Sequence, residues 1–185
     1  MTRLDLKPGD IYLTKGTSLI SRGIRYFSTS HGEARTEANH VGLVTAAGTE
    51  KSATIVEALT RVKRRRMSAY SNSTSNQVAI YRPINVTPEQ IETIVARAEQ
   101  YVGDKYGYLK IVAHLADWCL GGRYVFRRIA AMDNYPICSW VVSQSYADAG
   151  LNFGVPAGAA SPDDIMDFCT SHPEKYMTVH AMGLL

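Results

Sequence analysis

The chain has 185 residues, 45% of them hydrophobic, which is enough to bury one sizeable core and fits a single domain spanning residues 1–185. Its 20 Lys and Arg against 17 Asp and Glu leave a net charge of +3, too small to mark a nucleic-acid protein by charge. Cys119, Cys138 and Cys169 are too scattered for a CxxC zinc site and too few for a disulfide scaffold, so a reducing compartment is expected.

The first residues carry no apolar stretch of signal-peptide length, and no run approaches the roughly 18 apolar residues of a membrane span. The expected location is cytoplasmic. Pro8-Gly9-Asp10 is a turn signal that delivers a short strand, Ile11 to Thr14, with Asp10 at its start. Thr17 or Ser18 then caps a predicted helix whose apolar stripe is Leu19, Ile20, Ile24 and Phe27, followed by a polar loop over 28–38.

Ala38 to Thr45 is a β-branched run that reads as a buried strand with His40 at its mouth, and Ala53 to Leu59 is a second run that pairs with it. Glu57 interrupts that second run. A carboxylate in a half-buried strand is costly unless partnered, and an adjacent imidazole is the partner that would make it useful. The pattern equally permits Glu57 to face outward on an amphipathic strand. Arg61 to Arg66 is the chain's one charge run; such runs contact phosphates, anionic lipid or nucleic acid, or form a solvated face, and no specific role is assigned to it here.

Gln77 to Arg82 reads as a further central strand ended by Pro83. Thr87-Pro-Glu-Gln90 has the form of a helix start, with Thr87 as N-cap and Gln90 at the capping-box position, and Ile91, Ile94, Val95, Ala98 and Tyr101 supply a buried stripe. A second helical pattern from Tyr108 to Leu120 puts Cys119 on a core stripe and leaves His114 without an identified partner. Gly121-Gly122 ends that pattern, and Arg123 to Ala131 reads as an amphipathic insertion.

Pro136 keeps the chain before Cys138 extended, and Val141, Val142, Tyr146 and Ala149 then recur at helical spacing as far as Gly150. Cys138 is therefore expected at a helix start, where free backbone N–H groups and the helix dipole favour the thiolate, the form of cysteine that attacks carbon. His40 is the candidate base. A cysteine on an apolar helix is often only a small core residue, but a Cys at a helix N-terminus with a His on a Gly-flanked strand supplies the parts of nucleophilic catalysis. Ser161-Pro-Asp-Asp164 opens a last helix through Cys169, and Tyr176 to His180 adds a final strand.

Taken in order, Pro8-Gly9-Asp10-Ile11, Asn39-His40-Val-Gly-Leu-Val44, Val56-Glu57-Ala58, Cys138-Ser-Trp-Val-Val142 and Ser161-Pro-Asp-Asp-Ile165 resemble the circularly permuted papain-like NlpC/P60 proteins of the YiiX/YebB type, with lecithin:retinol acyltransferases as more distant relatives. The resemblance covers about residues 6–169. It implies an α+β fold in which a small antiparallel sheet is packed by the Cys138 helix and its neighbours. By resemblance, Cys138 is the nucleophile, His40 the general base and Glu57 the residue that orients the imidazole, with permutation placing the His before the Cys.

The activity implied is cysteine-dependent hydrolysis of amide, ester or thioester bonds through an acyl-enzyme, as in cell-wall peptide amidases and endopeptidases, with no metal or organic cofactor. The expected partner is a small acyl or peptide substrate, without nucleic acid. Two alternatives remain beside it: a lipid acyltransferase with Arg61 to Arg66 and segment 108–130 at a membrane surface, and a non-catalytic binding module that uses the basic run.

Overall fold

The computed structural model describes residues 4–15, 38–70, 77–105 and 137–182. The predicted helices at 17–27 and 108–120, most of loop 28–38, loop 71–76, the insertion 123–131, Cys119, His114 and Pro136 lie outside them.

The Pro8-Gly9-Asp10 turn closes as its composition demands. Gly9 takes φ +87, a left-handed conformation that suits glycine, and the Asp10 carboxylate accepts the Lys7 amide at 2.8 Å. Strand β1 (Asp5–Leu6) precedes the turn and β2 (Ile11–Thr14), wholly buried, follows it. The remaining strands are β3 (His40–Ala46), β4 (Gly48–Thr49), β5 (Thr54–Ala58), β6 (Val62–Arg66), β7 (Val78–Pro83) and β8 (Tyr176–His180). Six of them form one antiparallel sheet in the order β6-β5-β3-β2-β7-β8, while β1 pairs with β4.

Strand alternation sorts the sheet into two buried faces. Val41, Leu43, Val56, Ala58, Ile11 and Leu13 join the core beneath the helices, whereas Tyr12, Val44, Ile55 and Ile80 pack on the other side with Leu6, Ala53 and Met67. The helices are α1 (Pro88–Gln100), α2 (Cys138–Asp148) and α3 (Pro162–Ser171). Thr87 and Ser161 start α1 and α3 with complete capping boxes, each followed by proline at the first turn. Helix α2 packs beside α1, where Gln90 donates to the Ala149 carbonyl at 3.0 Å and the Tyr101 and Trp140 rings lie 4.9 Å apart. Tyr146 ties α2 to the first turn by donating to the Gly9 carbonyl at 2.7 Å.

The charge run is a strand, which its composition concealed. Four of the five residues of β6 are exposed at a sheet edge, where Lys and Arg discourage pairing with another chain. Arg64 forks onto Glu99, donating from Nε to Oε2 at 2.9 Å, and Arg65 reaches Glu57, so carboxylates of this chain engage two of the run's charges. A second distant pair anchors the far side of the sheet: buried Asp10 accepts two 2.7 Å hydrogen bonds from Arg82.

Candidate active site

Cys138 is the first residue of α2, as its flanking punctuation predicts. Ile137, at the N-cap, has no side-chain acceptor to offer, so the first-turn N–H groups are left to whatever stands before the helix. What stands there is the Cys138 sulfur, which accepts from the backbone N–H groups of Ser139 and Val41 and from the His40 imidazole. The β3–β5 register begins at Leu43↔Val56, so β5 has already left β3 where Val41 turns its amide to the sulfur.

His40, the first residue of β3, is held from two sides. Its Nε2 lies 2.8 Å from Oε2 of Glu57, and the ring also hydrogen-bonds the Cys138 thiol. Glu57 faces inward, resolving the ambiguity of the sequence pattern, and its side chain is fully buried. Tyr12 donates to the same Oε2 at 2.9 Å, Tyr70 donates to it as well, and Arg65 reaches Oε1 at 3.1 Å. The structure therefore brings His40, Glu57 and Cys138 into one hydrogen-bonded chain.

The electrostatics follow from these partners. Burial pushes the His40 pKa down, but the hydrogen bonds and charges of Cys138 and Glu57 outweigh it and raise the value to about 9. For Glu57, burial pushes upward and is outweighed by His40, Tyr70 and Tyr12, which bring the carboxyl down to about 2. Burial likewise opposes ionisation of Cys138, yet His40 and the Val41 and Ser139 amides hold its thiol below the usual range. Each of the three charges is thus favoured by its neighbour: the carboxylate supports the imidazolium, and the imidazolium supports the thiolate.

Sequence reasoning missed Tyr12, Tyr70, Arg65 and the Val41 amide. Alternation along β2 and β3 could have placed Tyr12 on the face of His40, but nothing local announces Tyr70, which ends a short 3-10 helix (Met67–Tyr70). Cys169, at the end of the α3 core stripe, is buried among apolar groups, and that burial raises its pKa far above the usual range. Haloacetamide at pH 7 is accordingly expected to label Cys138 on the order of 100-fold faster than Cys169. Peptide mapping of the folded protein measures this, and equal rates at the two positions would remove the electrostatic basis of the site.

No family model matches the sequence, and no curated protein matches it. Among solved structures, the fold is similar to that of a protein from Escherichia coli O157:H7 described as metalloprotein YiiX, DUF1105, with a TM-score of 0.54 and 20% sequence identity over 80% of this chain and 69% of that one. Among the described residues here, no group of three or more His, Cys, Asp or Glu side chains is placed to hold a metal ion. At this identity the similarity shows the fold alone: this chain is α+β, an antiparallel sheet with helices packed on it, and its fold is YiiX-like.

Proposed function

We propose that this chain is a cysteine-dependent acyl hydrolase of the papain-like kind, with Cys138 as nucleophile, His40 as proton carrier and Glu57 as the group that orients the imidazole. The observation that carries the reading is the doubly held His40, bonded to a buried carboxylate on one side and to a thiol at a helix N-terminus on the other.

In this reading the Cys138 thiolate adds to the acyl carbon and the carbonyl π pair moves onto oxygen, where first-turn N–H groups of α2 stabilise it. The pair returns, the bond to the amine, alcohol or thiol breaks, and His40 delivers its proton to the departing atom. Water then adds to the thioester as neutral His40 takes one of its protons. Collapse releases the carboxylic acid and restores the thiolate beside the imidazolium. Glu57 keeps its charge throughout and holds the ring in one orientation.

The substrate class is an acyl or peptide compound bearing an amide, ester or thioester. The lipid acyltransferase reading is weaker, because Arg64 and Arg65 are engaged by Glu99 and Glu57. Within the described residues no helix is long and apolar enough to cross a membrane. Intact mass spectrometry after exposure to amide-, ester- and thioester-mimicking acyl probes tests the proposal. One adduct per chain that disappears in Cys138→Ala is the expected result, and the preferred probe narrows the bond type. Absence of any Cys138-dependent adduct would favour a non-catalytic module.

A further inference from the structure

The carboxylate that orients His40 is itself crowded. Oε2 of Glu57 receives the Tyr12 hydroxyl, the Tyr70 hydroxyl and His40 Nε2, while Oε1 is drawn toward Arg65, whose side chain is 41% exposed and opens that end to solvent. An unrestrained carboxylate in that position would turn both oxygens to the guanidinium, which prefers bidentate pairing. It would then leave the imidazole.

The two phenols are positioned to prevent this. Tyr12 comes from β2, which β3 separates from the Glu57 strand, and is wholly buried; its ring stands edge-on to His40 at 6.2 Å and tilted against Tyr70 at 5.3 Å. It reaches Glu57 by crossing Gly42, the residue paired with it on β3. A Cβ at Gly42 would lie 2.4 Å from the Tyr12 oxygen and 2.5 Å from its Cε1, so the missing side chain in His40-Val41-Gly42 is the space the phenol occupies. Burial above all, with the Glu57 charge, raises both phenol pKa values far above the working range, so each hydroxyl remains a donor.

We propose that Tyr12 and Tyr70 are positioning residues of this site, a clamp of two hydroxyls that holds Oε2 of Glu57 on His40 against the pull of Arg65. The assignment rests on the acyl-hydrolase reading above and adds to it the groups that keep its third member in place. The titratable and charged groups around the pair are Cys138 on α2, Tyr12 on β2, Tyr70 on the 3-10 helix and Arg65 on β6, with Lys63 opposite Glu57 in the β5–β6 register.

Carbon-detected NMR titration of the His40 ring between pH 5 and 10 tests the clamp in wild type, Tyr70→Phe, Tyr12→Phe and Tyr70→Phe with Arg65→Gln. If the hydroxyls only spread the charge of Glu57, removing one concentrates that charge and leaves the His40 midpoint unchanged or raised. If they hold Glu57 in place, each Phe variant loses part of the carboxylate from the imidazole and its midpoint falls by about one pH unit. Arg65→Gln, which removes the competing partner, should then return the Tyr70→Phe midpoint toward wild type. Unchanged or raised midpoints in the Phe variants, or no recovery with Arg65→Gln, overturn the clamp. Tyr70 is only half-buried, so Tyr70→Phe decides the matter even where Tyr12→Phe does not fold. A wild-type midpoint at or below 6.5 would instead sink the thiolate–imidazolium reading itself, a result distinct from failure of the clamp alone.

Discussion

Cys138→Ala is expected to reduce turnover of an accepted acyl substrate by on the order of 10^4-fold or more, with His40→Ala causing a loss of similar scale. Both effects remove the same chemical event. On the proposed mechanism no thioester forms without the sulfur, and without the imidazole the thiolate would lose its largest ionising partner and the leaving group its proton source. The double variant should therefore be no worse than Cys138→Ala alone, because groups that act as a unit are not additive. Stability should fall as well: folding lowers the Cys138 pKa and raises that of His40, so the pair stabilises the folded chain and its loss in Cys138→Ala is expected to lower Tm. Steady-state kinetics on the preferred acyl probe, with thermal unfolding alongside, measures both. Retention of wild-type turnover by Cys138→Ala would end the assignment of Cys138 as nucleophile.

The wild-type pH profile has a definite shape in this reading. The acid limb of kcat/KM reports formation of the Cys138 thiolate and lies below the ordinary thiol range. The alkaline limb reports loss of the His40 proton at about 9, because a neutral imidazole cannot protonate the leaving group. Alkylation of Cys138 needs the thiolate and no proton donor, so it should lack the alkaline fall. The contrast between the two profiles separates the base from the acid role of His40.

What could be read from the sequence was what local hydrogen bonding and periodicity decide. Thr87, Pro88 and Gln90, like Ser161, Pro162 and Asp164, carry their helix starts within four residues, and the structure closes both boxes as written. The β-branched runs of β3 and β5 marked both strands, which do pair, and Cys138 begins α2. Undecided was the side of the sheet on which Glu57 lay. That choice is made by Tyr12, 45 residues away, by Tyr70, 13 away, and by the imidazole itself, 17 away. None of these distances leaves a periodic trace. The Arg61 to Arg66 run was open to a solvated-face reading, and four of the five residues of its edge strand are exposed; what the run did not announce is that the successive residues Arg64 and Arg65 reach Glu99 and Glu57.

Glu57→Gln is the substitution that tests the buried charge with the least change of shape. Glutamine can place its single carbonyl oxygen where Oε2 now lies and still accept from His40, Tyr12 and Tyr70, while its amide faces Arg65, which is exposed enough to swing away. What disappears is the negative charge opposite the imidazolium. kcat should fall on the order of 10^2-fold, much less than for Cys138→Ala, and the alkaline limb should move down from about 9 as His40 binds its proton less tightly. Stability should follow the carboxyl's own titration. Its folded pKa of about 2 lies below the ordinary 4.5, so its contribution is fully present above pH 4.5 and is lost as pH falls through about 2. The difference in stability between wild type and Glu57→Gln is thus expected to be about 3 kcal/mol at pH 6, on the order of 10 °C in Tm, and to close toward pH 2. Thermal unfolding of the two proteins from pH 2 to 7 measures it. A constant difference across that range would mean that Glu57 contributes through packing and not through its charge, and an unmoved alkaline limb would detach it from His40.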